Sequence, residues 1–253
     1  MKRKVKNAVR MLFHHFGYDL LSFKHLWGVR CWHDMRRLLG SASVQTVFDV
    51  GANVGQTALV LAREYREADV FAFEPVPSTY QQLLRNTKQV SSIRCFNIGL
   101  GTNTCHREIT LYGNSEVSSL IPNAPFAVKF LKGKATGTAR IELVTGDAFA
   151  NEHGIGAIDL LKIDTEGFDL EVIRGCSGLL SENAIRFIYC EFNELTSVED
   201  SCGGVLADIW AFLQPYNFRL VGLYTDYLWP NHNFLASRNV LFVNRPRYQA
   251  SIA

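Results

Sequence analysis

The stretch Val47-Phe48-Asp49-Val50-Gly51-Ala52-Asn53-Val54-Gly55-Gln56 decides how the rest of the chain is read. An apolar run, Val44 to Val50, ends in a tight glycine turn, and a helical pattern follows from Thr57 to Glu64. Strand, glycine loop and helix in that order open a nucleotide-binding α/β unit. Gly51 and Gly55 allow the sharp turn and leave room for a ligand against the main chain. The next strand-like run, Val70-Phe71-Ala72-Phe73, ends in Glu74-Pro75. An acid about 20 residues past such a loop is placed to accept bonds from both hydroxyls of a ribose.

The loop reads G-x-N-x-G and lacks the third glycine of a dinucleotide fingerprint. Asp49 stands at the strand tip, facing the ligand or the loop amides. There a carboxylate repels a diphosphate and attracts a ligand that carries an ammonium and a sulfonium. S-adenosylmethionine (SAM) has both cations, a ribose and no phosphate, so the charge pattern favours SAM over NAD. Two readings compete with a SAM enzyme. One is an NAD(P)-dependent oxidoreductase on a Rossmann sheet. The other is a non-catalytic SAM-binding or membrane-associated module.

At 253 residues and 47% hydrophobic, the chain suits one α/β domain with additions and a sizeable core. A formal net charge of +2 implies no nucleic-acid partner. The basic residues that do cluster lie at the start: Lys2, Arg3, Lys4, Lys6 and Arg10. The six cysteines are scattered without a C-x-x-C pair, which reads as a reduced, cytoplasmic protein and argues against zinc. No apolar run reaches the roughly 18 residues of a membrane span. His14, His15, Asp19 and Lys24 interrupt what would otherwise resemble a signal peptide.

Residues 1–40 are expected to form an N-terminal helical extension, with Val5, Val9, Leu12, Phe13 and Phe16 at helical spacing. It reads as a cap on the core, or as a basic amphipathic surface for an anionic membrane or a partner subunit, a second copy of the chain included. The main domain is expected over 41–253. Strands at Val44–Val50, Val70–Phe73, Ile93–Ile98, Ile158–Ile163, Ile185–Cys190, Phe218–Tyr224 and Val240–Val243 alternate with helices, one of them capped by Ser78. That rhythm implies right-handed crossovers and a parallel sheet. The link between the last two strands carries no helical pattern, so those two are expected antiparallel. An insertion at about 101–140 interrupts the alternation. It reads as a hairpin with a mobile loop, Asn123–Thr138.

Three motifs together resemble the FkbM family of methyltransferases: FDVGANVGQ (Phe48–Gln56), FEPVP (Phe73–Pro77) and DLLKIDTEGFDLEVIRG (Asp159–Gly175). Ser118–Leu120 and Tyr189–Phe192 also fit, and the likeness spans about Val44 to Val243. The resemblance implies a Rossmann-like, seven-stranded class I methyltransferase fold. It implies transfer of a methyl group from SAM to an oxygen, commonly a hydroxyl of a sugar or natural product. Carried onto this chain, it places Asp49, Gly51, Asn53 and Gly55 at the methionine end of SAM and Glu74 at the ribose. Asn97 to Leu100 and Asp147 are the alternatives near the adenine. The family usually has Leu-Asp where this chain has Gly146-Asp147.

Ligands of open α/β sheets bind outside the carboxyl ends of the strands. Asp49, Glu74, Asp164 and Glu191 are all expected there. A hydroxyl acceptor needs help to lose its proton, and Asp164, Glu191 and His232 are the candidate bases. Asp164 also fits as a cap of the helix beginning near Phe168, and Glu166 as an anion in that helix's first turn. Asp164 and Glu191 offer the oxygen ligands that Mg²⁺ selects, but nothing in their spacing requires a metal. Lys162, inside a strand, must reach an acid to be tolerated there. Tyr224, Tyr227, Trp229 and Phe234 read either as a stacking platform or as packing of the last hairpin.

Overall fold

The computed structural model describes residues 2–17, 27–112, 135–193, 205–224 and 237–252. His232, Ser118–Leu120, residues 123–134 of the expected loop, and Tyr227, Trp229 and Phe234 lie outside them.

The chain starts with two helices, α1 (Lys2–His15) and α2 (Cys31–Leu39). Helix α1 leaves Val9, Leu12 and Phe13 exposed, and Phe16 just beyond it is exposed too. Helix α2 buries Cys31, Met35 and Leu39 in the same core as Val47, Leu61 and Leu160. It stops at Gly40, whose φ of 59° suits glycine.

The α/β alternation then runs β1 (Thr46–Val50), α3 (Gln56–Glu64), β2 (Asp69–Phe73), α4 (Pro77–Thr87) and β3 (Ile93–Phe96). Ser78 is not the cap of α4. Pro77 opens that helix with its fixed φ, and Val76 precedes it.

The insertion forms a separate three-stranded sheet: β4 (Gly99–Leu100), β5 (Cys105–Tyr112) and β6 (Ala135–Val144), in the order β4-β6-β5. Residues 135–138, expected in the loop, are strand. Thr138 pairs with Thr110 and Gly137 with Leu111, so the hairpin ladder runs through them.

The second half continues with α5 (Gly146–Glu152), β7 (Ile158–Ile163), α6 (Asp169–Arg174), α7 (Ser177–Ser181) and β8 (Ile185–Asn193). It ends with α8 (Leu206–Leu213), β9 (Phe218–Tyr224), β10 (Ser237–Asn244) and α9 (Arg245–Ile252). Strand β8 runs three residues past the expected end, because the antiparallel pairing with β10 extends to Asn193–Ser237. Glu191 therefore sits inside the strand, opposite Asn239. Gly175 ends α6, and Gly178 lies within α7.

The main sheet has seven strands in the order β3-β2-β1-β7-β8-β10-β9. Strand β10 is antiparallel to both its neighbours, and the other pairs are parallel. The chain leaves β1 toward β2 and returns on its other side as β7, so the switch point lies between β1 and β7.

Side chains alternate through the sheet with a period of two. Phe48, Val50, Leu161 and Ile163 face α5, α6 and α7, where Phe149 meets Phe73 edge-on at 4.7 Å. Val47 and Leu160 face α2, α3 and α4. Among the described residues, no helix is long and apolar enough to cross a membrane.

Candidate cofactor and active site

The turn after β1 is built by close backbone approach. The amides of Gly51 and Ala52 donate to the Phe73 carbonyl at 3.1 and 2.9 Å. Gly51 has φ 76°, and a Cβ there would lie 1.8 Å from the Asp164 carbonyl oxygen. No other residue fits that position without moving β7. Asn53 is left-handed at φ 49°, a conformation asparagine tolerates. Its amide donates to Glu74 Oε2 at 3.0 Å, and the Val76 amide donates to Oε1 at 2.9 Å. Burial pushes the Glu74 carboxyl up to about 7, although those two amides act in the opposite sense. Gly55, with φ 97°, is the N-cap of α3.

A cavity of about 330 Å³ opens at the β1–β7 switch point, within the usual size of a small-molecule site. Gly51, Asn53, Gln56 and Glu74 line one side. Gly99 and Leu100 line the end beyond β2, and Lys162, Asp164, Glu166 and Phe168 close the other side. Among the described residues, its ionisable lining is three carboxylates, Glu74, Asp164 and Glu166, and one ammonium, Lys162.

Asp49 lies beneath this cavity and is fully buried. Its carboxylate meets Lys162 Nζ at 3.0 Å. The two residues are direct partners in the parallel β1–β7 pair, and alternation puts both side chains on the α3 face. Burial pushes Asp49 up from the ordinary carboxylate range, and Lys162 pulls it back. Burial alone would lower Lys162, but Asp49 and Asp164 outweigh it and hold the ammonium charged. Lys162 also points at the Gly51 carbonyl, 3.5 Å away, and at Asp164 Oδ2, 3.7 Å away. One ammonium thus ties the glycine turn to the end of β7.

Of the other expected site residues, Asp164 lines the cavity with its side chain 46% exposed. It does not cap a helix, since α6 starts only at Asp169 with Phe168 as its N-cap. Glu166 is likewise not in a helical turn. It sits in the loop with φ 52°, next to Gly167 at φ 99°. Phe168 precedes the helix and faces the cavity.

Asn97 is outside the lining. Its Nδ2 donates to the carbonyls of Glu74 and Pro75 at 2.9 and 3.0 Å and holds the end of β2. Of the alternatives at that end, Gly99 and Leu100 reach the cavity. Asp147 lies elsewhere. Its oxygens accept from the Gly178 and Leu179 amides at 2.8 and 2.9 Å, satisfying the first turn of α7. Gly146 beside it is a packing requirement, since a Cβ there would lie 2.3 Å from Cys176 Sγ. Glu191 is half-buried and outside the cavity lining.

Asp169 went unread in the sequence. It is 2% exposed and accepts from Thr165 Oγ1 at 2.8 Å, the Thr165 amide at 3.2 Å and the Glu191 amide at 3.0 Å. It thereby locks the Asp164–Gly167 loop to β8. Burial, and then the nearby Asp164, push its carboxyl up to about 6. The available signal was an aspartate four residues after Thr165 at the start of an apolar helical pattern. Among the described residues, no group of three or more His, Cys, Asp or Glu is assembled as a metal site.

A seven-stranded sheet in this order, with one reversed strand and a cleft at the switch point, is the Rossmann-like class I methyltransferase fold. The profile of the methyltransferase FkbM domain matches residues 49–220. The chain belongs to the FkbM family of SAM-dependent methyltransferases.

Among its relatives is methyltransferase 1 of Beauveria bassiana, 29% identical over 51% of this chain and 57% of that one. Hexuronic acid methyltransferase AglP of Haloferax volcanii is 25% identical over 70% of each chain. The 31-O-demethyl-FK506 methyltransferase FkbM of Streptomyces tacrolimicus is 25% identical over 86% of this chain and 88% of its own. The chain spans under two thirds of the Beauveria protein and of methyltransferase sdnD of Sordaria araneosa, 57% and 59%. Among solved structures, the METTL16 methyltransferase domain aligns with a TM-score of 0.48 and 13% identity, covering 84% of this chain and 65% of that one.

Proposed function

We propose that this chain transfers a methyl group from SAM to a hydroxyl oxygen of a sugar, glycan or natural-product acceptor. The charge of the cleft carries the reading. Three carboxylates against one ammonium favour a ligand with an ammonium and a sulfonium and disfavour a diphosphate. The residues fit the cofactor. Glu74, fixed by two amides, is positioned to take the ribose hydroxyls. The Gly51–Asn53 turn presents backbone to the methionine portion, and Gly99 and Leu100 are small or apolar enough to flank the adenine. Bound SAM supplies a methyl carbon made electrophilic by its sulfonium.

The chain's part in the reaction is positioning and proton removal. Asp164, exposed at the end of β7, accepts the hydroxyl proton as the acceptor oxygen takes the methyl group. Lys162, held charged 3.7 Å away, orients that carboxylate. Relatives named for hexuronic acid, for 31-O-demethyl-FK506 and for 2-O-methyl transfer support an oxygen acceptor. Five free cysteines among the described residues support a reducing, cytoplasmic compartment.

Calorimetry with SAM and with NADH, followed by transfer of labelled methyl to a metabolite extract with and without EDTA, tests the reading. SAM binds, NADH does not, and the label appears on a hydroxyl-bearing compound. Absence of SAM binding, or label found only on nitrogen or carbon, would sink it. Loss of transfer in EDTA would bring a divalent metal into the reaction. Asp164→Asn is expected to slow transfer by about 10²–10⁴-fold at saturating SAM, a larger loss than its effect on SAM affinity.

A further inference from the structure

A second cavity, of about 670 Å³, adjoins the first. Gln56, Thr57, Lys162 and Asp164 line both. The charged groups common to the two are therefore the ammonium and carboxylate of the proposed reaction centre. The far wall comes from Arg30, which precedes α2, and from Trp32, His33 and Arg36 of α2 itself, together with Val60 of α3 and Tyr189 of β8.

That wall is anchored. Asp34, 1% exposed, accepts from the Gly28 amide at 2.7 Å and from the Tyr224 hydroxyl at 3.0 Å. These bonds clamp the start of α2 to the end of β9. Trp32 packs against Tyr189 with ring centroids 5.2 Å apart, and Cys31 and Met35 enter the core.

Among the described residues, four basic side chains, Arg30, His33, Arg36 and Lys162, line the cavity against two carboxylates, Glu64 and Asp164. Glu64 pairs with Arg36 at 2.7 Å, and His33 Nδ1 lies 3.6 Å from Asp34 Oδ1. The first cavity is acidic where this one is basic, so the two select opposite charges. We propose that the second cavity is the acceptor site and that it takes a sugar bearing a carboxylate. The half-buried Trp32 indole offers an apolar face to the ring. Arg30 and His33 supply charge-assisted bonds to the carboxylate. A hydroxyl on such a ring meets Asp164 at the shared wall. The assignment rests on the SAM reading of the first cavity.

The test titrates D-glucuronate and D-glucose into protein saturated with S-adenosylhomocysteine. Glucuronate is expected to bind at least about tenfold more tightly than glucose, the size of one charge-assisted interaction, and Arg30→Gln to remove the preference. Val60→Trp fills the second cavity without lining the first. It is expected to abolish glucuronate binding and leave S-adenosylhomocysteine affinity unchanged. Equal affinity for the two sugars, no glucuronate binding, or glucuronate binding that survives Val60→Trp would each overturn the acceptor assignment while leaving the cofactor reading intact. Failure of S-adenosylhomocysteine to bind the unaltered protein would overturn the cofactor reading, and this assignment with it.

Discussion

Glu74 carries a carboxylate 6% exposed, gripped by two amides and raised to about 7. Ribose hydroxyls donate better to the ionised form, so binding favours loss of the proton. SAM affinity is therefore expected to rise as pH increases through about 7, and calorimetry across about pH 6–8 reads it. Glu74→Gln should weaken binding and flatten that dependence; an unchanged slope would remove Glu74 from the ribose site. Asp49 and Lys162 are the other charges acting on it. Gly51 makes a stricter demand. Gly51→Ala combines a left-handed φ with a Cβ 1.8 Å from a backbone carbonyl. It is expected to cost at least about 2 kcal/mol in urea unfolding and to abolish SAM binding. Glycine, asparagine and Asp164 were readable one by one because each answers a local need: a turn, a positive φ or an exposed strand end. Asp147 shows the limit of such local readings. Its local pattern fits a ligand acid, while its real partners, the Gly178 and Leu179 amides, come from a helix some thirty residues on.

Strands β1 and β7 meet through the Asp49–Lys162 pair in the middle of the sheet. Neither residue can lose its partner cheaply, because the survivor is a buried, uncompensated charge. Lys162→Met alone is expected to destabilise the protein by about 3–5 kcal/mol, whereas Asp49→Leu with Lys162→Met should recover most of that. Additive losses in that cycle, measured by urea denaturation, would show that the two do not act as a pair. Asp34 does the comparable work for α2. Asp34→Ala strands the Gly28 amide and the Tyr224 hydroxyl, with an expected cost of about 2–3 kcal/mol by thermal or urea unfolding. The seven strands and their alternation with helices followed from apolar runs and breakers. The strand ends did not, because β6 and β8 are lengthened by partners far along the chain: β5 for one and β10 for the other.

For the whole molecule, the raised carboxyls set a pH trend. Asp169, near 6, and Glu74, near 7, bind protons more tightly folded than unfolded, and Asp49 is shifted in the same direction. The stability they contribute is fully present below their unfolded values of 3.8 and 4.5 and is lost as pH rises through about 6 and 7. Lys162, also raised, keeps its contribution throughout that window. The melting temperature of the ligand-free protein is thus expected to fall between about pH 5 and 8, and Asp169→Asn to flatten the fall; a rise over that range would contradict the burial of these groups. From the sequence alone came the sheet class, the glycine turn, the acid at the end of β2 and the family likeness. These rest on neighbours within one strand–turn–helix unit, where spacing and chemistry are enough. Tertiary structure decided that Asp49 serves Lys162 beneath the cleft, that Asp169 locks the Asp164–Gly167 loop, and that the start of α2 walls a second cavity. Those outcomes depend on which strands lie side by side. Residues 113 positions apart, such as Asp49 and Lys162, become partners only when the chain crosses over and returns on the other side of β1.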